Sequence, residues 1–477
     1  MKILELGEWL PDQPNYNSNG VRVAQNVYPR APSGYRPVGQ FTQYVPAGPA
    51  AFLGAATFTA PVGEHIVIGG TVSNLYRVTS GAWASIGSGY TVPTEGRWRF
   101  AQFGGLAIAT NGSDPMQKVD LNLGTAGPLL GSPPTFKVLG VVKDFLVGGV
   151  LNGQGNIIGW CAINNAEDWG FGYNQSDYNI MPSGGTVNGI FGGEFGIILQ
   201  RNRITRMDYV GGNSIFTISE VSSNFGCVSF NSAIQHGQIG CFLSDNGFML
   251  WDGAQLKPIG NERIDRFFLA AYNRASWAGM SAAVDIPNQV FCWSMGDRIF
   301  NYHWNLDRWT VTNQAAQIVF GGVTRSISID EQDPIYGAVD DNIDGAALPT
   351  LDAAAYKGGD NRFYVIDNTN TLGTLTGTPM AATVTLPDYE FFTARETMVR
   401  QIRLNGDAVT GITISLSTRQ RLGDAVVFTD YTAPDSDGDM PCRQRGMYVR
   451  AKVTLAAGTA WTFMQSITAD IVKGAWI

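Results

Sequence analysis

From Phe52 to about residue 380, apolar positions fall in short runs cut by turn residues. Glu64 to Ile68, Leu75 to Val78, Phe100 to Phe103, Leu106 to Ala109, Phe145 to Val147, Ile157 to Ala162, Gly196 to Gln200, Ile215 to Ile218, Gly240 to Leu243 and Val290 to Trp293 are such runs. Runs of this length between Gly-Gly and Asn-Gly pairs predict β-strands joined by tight turns. Three stretches repeat one pattern. They are Leu75-Tyr76-Arg77-Val78 with Trp83, Phe248-Met249-Leu250-Trp251 with Leu256, and Ile299-Phe300-Asn301-Tyr302 with Trp309. Each is an aromatic-rich strand, a turn of Gly, Asn or Asp, and a second strand with an apolar anchor near its start. A recurring unit of this kind predicts a β-propeller, whose blades bury their faces against one another. Helical spacing occurs once, with Asn261 as the expected cap and Ile264, Phe267, Phe268 and Ala271 on one face.

After about Met380 the texture changes. Ala382 to Leu386, Val399 to Leu404, Ile412 to Ser417, Ala425 to Thr429, Tyr448 to Val453 and Thr462 to Ile467 alternate at period two, the signature of a β-sandwich-like domain. At the other end, Pro11, Pro14, Pro29, Pro32 and Pro37, with interspersed Asn and Gly, predict an irregular N-terminal arm. Its apolar points (Trp9, Leu10, Tyr16, Val21, Val23, Val27, Tyr28) are suited to pinning it against the C-terminal domain, which it would complete, or against a neighbouring subunit. The fold expected is all-β: an irregular arm over 1–45, a β-propeller over 46–380 and a C-terminal β-domain over 381–477. Within it, the Asp-rich stretch 325–360 (Asp330, Asp333, Asp340, Asp341, Asp344) reads as a loop or the outer edge of a blade.

Composition narrows the functional classes. Charged residues make up only 15% of the chain, against roughly 25% in average proteins, and 58 glycines fit many tight turns. The net charge of −8 argues against a sequence-specific DNA reader and suits a passage that repels DNA. Cys161, Cys227, Cys241, Cys292 and Cys442 are odd in number, widely spaced and set among apolar neighbours, so buried free thiols and assembly in a reducing cytoplasm are expected. No signal-peptide-like apolar stretch follows Met1, and no apolar run reaches the ~18 residues of a membrane span. The longest candidate, Val138 to Leu151, is broken by Lys143-Asp144 and Gly148-Gly149.

Candidate chemistry is sparse. His65, His236 and His303 do not cluster and form no metal-binding spacing. Asp435-Ser436-Asp437-Gly438-Asp439 begins like a calcium loop, but its Gly is misplaced and Gly446 stands where a closing Glu is needed, so it reads as a solvated hairpin tip. Ser244-Asp245-Asn246-Gly247 is similar to a sialidase Asp-box with the wrong spacing, and reads as a hairpin turn with positive φ at Asn246-Gly247. Glu194, Asp208 and Asp285 show no pairing of the kind a glycosidase needs. Nucleophile elbows, P-loops and dinucleotide fingerprints are lacking, so no enzyme, cofactor or metal is expected. Basic residues gather at Arg201, Arg203 and Arg206, and again at Arg419-Gln420-Arg421 and Arg443-Gln444-Arg445. On a strand Arg201 and Arg203 would share a face, as an interface rim or as part of a DNA-channel ring repeated by symmetry.

Two segments add a family resemblance. One runs from Gly159-Trp160-Cys161 through Asn164-Asn165 to Asp168-Trp169, then Asp177-Tyr178, Gly189-Ile190 and Ile197 to Tyr209. The other comprises Val284-Asp285-Ile286, Val290 to Trp293, Ile299 to Trp304 and Asp307-Arg308-Trp309. With Gly34-Tyr35-Arg36-Pro37, these resemble the packaged-DNA stabilisation or tail hub (nozzle) proteins of short-tailed bacteriophages, over roughly residues 130 to 310. The resemblance implies a structural virion protein of the tail, assembled in the host cytoplasm into a homohexameric ring below the portal and adaptor proteins. Such a ring continues the DNA channel, retains packaged DNA by proximity and carries tail fibres or tailspikes. A propeller that binds a receptor or glycan is the alternative, and a glycan-cleaving propeller is a third, which would need convergent carboxylates.

Overall fold

A strand covered on both faces needs apolar residues at successive positions, and the second strand of each repeating unit has them. Phe145–Leu151, Gly196–Gln200 and Val290–Ser294 are buried at every residue. In the computed structural model, which describes residues 1–212, 214–324 and 359–476, each of these strands lies inside a four-stranded sheet stacked between two neighbouring sheets. Seven such sheets form the ring of a β-propeller. Blades one to six are antiparallel meanders running Gly54–Ser88, Arg99–Pro128, Val138–Ile180, Val187–Ser222, Ile234–Pro258 and Ser281–Thr312.

The three recurring stretches occupy equivalent places. Each supplies the third and fourth strands of its blade: blade one (Asn74–Thr79, Ala82–Ser88), blade five (Gly247–Trp251, Leu256–Pro258) and blade six (Ile299–His303, Arg308–Thr312).

Blade seven is composite. Ile318–Val323, Asn361–Ile366 and Leu372–Thr374 receive their outer strand, Thr42–Val45, from the N-terminal arm, with Leu372 opposite Val45 and Thr374 opposite Thr42. The ring is thereby closed by chain segments from opposite ends of the propeller. The Asp-rich residues Asp330, Asp333, Asp340, Asp341 and Asp344 lie outside the described residues.

The last part of the chain forms two sheets with a shared core, and here one face of each strand is covered. Tyr448–Leu455 accordingly alternates buried and half-buried residues along its whole length. The arm, expected to be irregular, contributes four further short strands to these sheets. Lys2–Glu5 pairs with the long strand Met464–Trp476, and the hairpin of Val27–Pro29 and Tyr35–Pro37 joins the same sheet. Val23–Gln25 runs antiparallel to Ala382–Thr385 on one side and parallel to the outer strand of blade six on the other. Blade six thus continues into a nine-stranded sheet, and one apolar core joins Phe248, Trp293 and Trp309 of the propeller to Trp9 and Tyr35 of the arm and Val384, Val453 and Ile467 beyond.

Two local expectations are corrected. The helix spans Asp265–Ala271 with Ile264, not Asn261, at its cap position; the amides of Arg263, Ile264 and Asp265 bond instead to the Gly260 carbonyl. Ile264 and Phe268 are fully buried, whereas Ala271 is exposed. In the blade-five hairpin Ser244 pairs with Gly247, so the loop residues are Asp245 and Asn246, and only Gly247 (φ 123°) takes positive φ.

Candidate functional site

The innermost strands crowd around the propeller axis, which limits the residues they can carry. A Cβ on Gly140 would meet the Ile190 side chain, one on Gly189 would meet Ala233, and one on Gly322 would meet Thr57, each a contact between adjacent blades. Along the axis, a cavity of about 560 Å³ is lined by the innermost strands of blades one, two, five, six and seven.

At one end this channel widens into a second cavity of about 560 Å³. Its walls are the connections leading into innermost strands, together with loops between second and third strands. Five cationic side chains from four blades line it: Arg97 leading into blade two and Arg99 at its start, Lys137 leading into blade three, Arg201 of blade four, and Arg274 leading into blade six. Among the described residues Glu95 is the only lining carboxylate.

The arginines of blade two reach across the axis. Arg99 donates to the Phe230 carbonyl (2.7 Å) and to Asn231 Oδ1, on the connection into blade five. Arg97 donates to the Ala278 carbonyl (3.3 Å), and Asn231 Nδ2 donates to the same oxygen at 2.8 Å. Blades two and five are not neighbours in the ring, so these bonds bar the channel. A duplex, whose major groove alone is about 12 Å wide, has no passage here. Burial lowers the Arg97 pKa, and burial plus the nearby Arg97 charge pushes Arg99 down to about 10, so both stay cationic at neutral pH. Among the described residues neither has a carboxylate partner. Lys137 Nζ sits 5.4 Å above the Phe230 ring.

Of the basic residues singled out in the sequence, only Arg201 reaches this mouth. Arg201 and Arg203 are not on a strand but in the loop between Gly196–Gln200 and Ile204–Gly211. Arg201 makes a bidentate pair with Asp245 (2.6 and 2.8 Å), which Arg274 also joins. That pairing holds the Asp245 carboxyl below its usual range. Arg203 pairs with Glu220 at 3.2 Å; Arg206 pairs with Asp208 at 2.8 Å and lies over the Phe195 ring. The three do not converge. Arg97, Arg99, Lys137 and Arg274 escape sequence reading because they come from three separate segments. Their common signal, a basic residue at or before an innermost strand, is visible only once blade register is known.

The other candidates have structural employment. His236 packs against Trp304, and burial pushes His303 down to about 4 while its Nδ1 accepts from the Leu306 amide. His65 Nδ1 lies 2.9 Å from the Thr59 hydroxyl. The Asp435 carboxylate accepts from the amides of Asp437 and Asp439, closing a hairpin tip. All five cysteines are buried free thiols.

The residues carrying the family resemblance shape the architecture. Trp169 packs 5.4 Å from Phe136 in the core, and Asp168 caps its own loop through Gly170 N and Asn174 Nδ2. At the joint of arm and blade six, Tyr28 Oη donates to buried Asp285 (3.2 Å), whose carboxyl is raised by burial, and Asn288 Nδ2 donates to it at 2.7 Å. Arg36 caps Asn288 in turn (2.5 Å), Tyr35 Oη donates to the Gly7 carbonyl (2.6 Å), and Arg308 reaches the Pro32 carbonyl. Arg263 ties Glu8 of the arm (3.1 Å) to Asp307 (2.6 Å).

No family model matches the chain, and no curated protein does either. Solved structures with a similar course include the extracellular domain of a hybrid two-component system from B. thetaiotaomicron, at 10% identity and a TM-score of 0.42, covering 85% of this chain. This chain spans 47% of that domain's length. The β-propeller domain of Myceliophteria thermophila Cps50 (Swd1) aligns over 59% of this chain and 92% of its own, at 7% identity and a TM-score of 0.38. The RRP9 WD40 repeats align over 59% and 89%, at 8% identity and a TM-score of 0.36.

Proposed function

We propose that this chain is a structural subunit of a ring, the tail hub or nozzle of a short-tailed bacteriophage, and not an enzyme. The observation that carries the ring is the placement of its exposed apolar side chains. Tyr173 (75% exposed), Tyr178 and Ile180 lie on the rim of blade three, at and beside its outer strand Asp177–Ile180. Leu422, Val426 and Val427 are exposed on a loop of the C-terminal domain, which is continuous with blade six. Blades three and six are as far apart as two blades of a seven-membered ring can be. A head-to-tail contact that closes a ring needs two different patches on opposite flanks of the subunit. A second copy of this chain, docking its C-terminal domain on the rim of blade three, supplies that match.

The resemblance adds the virion context, and those of its residues that lie in blade six and the arm tie the two together. The barred axis bears on where DNA would pass: between subunits around the ring axis, not through a propeller. With a net charge of −8, the subunit would enclose DNA without gripping it. Portal, adaptor and fibre proteins would then occupy the two ends and the periphery of the ring.

Electron microscopy and native mass spectrometry of the purified protein test this reading. A ring with an open axis, dispersed to monomers by Tyr173→Glu with Ile180→Glu, is expected. A monomer at high micromolar concentration, or a ring untouched by the double substitution, overturns it.

A further inference from the structure

We infer that the basic mouth of the propeller channel is a binding site for a compact polyanion, of the di- or triphosphate or polycarboxylate class. The inference stands apart from the ring assembly, since the site lies wholly within one chain.

The argument begins with charge. A guanidinium withdrawn from water is costly unless an anion faces it. Arg97 and Arg99 are both half-buried, and among the described residues they meet only neutral acceptors: the Ala278 and Phe230 carbonyls and the Asn231 amide. Lys137, exposed at the mouth and lying over the Phe230 ring, adds a third cation with no carboxylate partner among the described residues. Several half-buried arginines elsewhere have their anions: Arg450 shares Asp388 with buried Arg419, Arg77 has Glu64, and Arg263 has Glu8 and Asp307. Arg22 and Arg36 also meet neutral acceptors, but each alone, whereas the mouth gathers Arg97, Arg99 and Lys137 on one cavity.

Shape narrows the ligand. The cavity is concave, and its floor is closed by the Arg99–Asn231 bridge, so a ligand enters from one side and stops. Its size suits a small molecule better than a macromolecular strand. Arg201 and Arg274 stand at the rim, already held by Asp245, and would orient a second anionic group. Fork-shaped guanidiniums favour phosphate or carboxylate oxygens over a halide, because each can bond bidentately.

The test is calorimetric titration at low ionic strength with inorganic tripolyphosphate, with citrate as the carboxylate arm and a short single-stranded oligodeoxynucleotide as the nucleic-acid arm. Saturable binding of tripolyphosphate or citrate is expected, weakened about tenfold or more by Lys137→Gln with Arg274→Gln. Both substituted residues are near the surface, so an unchanged circular dichroism spectrum and melting temperature without ligand will show that the fold is retained. Arg97→Lys, which keeps the charge but loses the fork, should weaken binding less than Arg97→Gln. Absence of binding by both small anions at about 1 mM overturns the site, as does equal affinity in the double variant. Tighter binding of the oligonucleotide than of either small anion, lost in the same variant, overturns the compact-ligand assignment in favour of a nucleic-acid strand.

Discussion

Gln25 lies beside Val311 in parallel register, and through this contact the outer strand of blade six hands its sheet on to the C-terminal domain. The Asn26 amide donates to the Val311 carbonyl at 2.7 Å beside it. Deleting residues 1–28 removes the strand between blade six and Ala382–Thr385 and leaves both edges unpaired. Calorimetry is expected to show one unfolding transition for the full chain and two for the deletion, with the C-terminal domain melting first. One unchanged transition would mean that the propeller and the C-terminal domain hold together without the arm.

Asp388 is the shared anion of Arg419 and Arg450, and all three are largely withdrawn from solvent. Removing one partner of a buried pair leaves an uncompensated charge, whereas removing all of them need not cost stability. Asp388→Ala should therefore destabilise by about 3–5 kcal/mol, and adding Arg419→Met and Arg450→Met should recover most of the loss. Urea unfolding reads both; additive losses in the triple variant would contradict the account.

Burial raises the Asp265 carboxyl to about 7, although its Oδ1 accepts from the Phe248 amide. A carboxyl raised in the folded state favours folding below its unfolded pKa, and that contribution is lost as pH climbs through about 7. Glu8, raised to about 7 by burial against the pull of Arg263, acts in the same direction. His303, held near 4 by burial, acts oppositely: its contribution is full above the ordinary value of 6.5 and fades as pH falls toward 4. Asp265→Asn keeps the acceptor and removes the charge, so at pH 8 it should gain about 1–3 kcal/mol over the parent, a difference that shrinks as pH falls toward the ordinary carboxyl value of 3.8. Melting temperatures across that range check it; parallel curves would refute it.

Gly373 sits where the closing strand crosses blade seven. A Cβ there would strike the Thr42 carbonyl and the Phe41 ring. Gly373→Ala should loosen Thr42–Val45 by about 1–3 kcal/mol and expose it to limited proteolysis between residues 40 and 50, while Gly127→Ala, which meets open space, should not.

The sequence texture carried the architecture because burial geometry writes itself into periodicity. Strands covered on both faces, such as Phe145–Leu151, read as unbroken apolar runs, and strands covered on one face, such as Tyr448–Leu455, alternate. The anchors Trp83, Leu256 and Trp309 marked the fourth strands of three blades. Blade number stayed hidden because the seventh blade borrows Thr42–Val45, a strand whose partner Leu372–Thr374 lies at the far end of the propeller. The arm's strands of three or four residues were illegible for a related reason: their pairing is set by the sheets that receive them, not by local propensity. The basic mouth was equally opaque, since neither Arg99 nor Lys137 has a neighbour in sequence that hints at the other.

The borrowed strand also sets an order of events. A ribosome delivers Thr42–Val45 early and Leu372–Thr374 late, so the segment that seals the ring must wait for nearly all of the propeller to be made. The same holds for Lys2–Glu5, whose partner Met464–Trp476 follows later still. Contacts so distant along the chain form slowly and at a high loop-closure cost. A nascent chain that stops short of these segments therefore lacks both the sealed rim and the completed C-terminal domain.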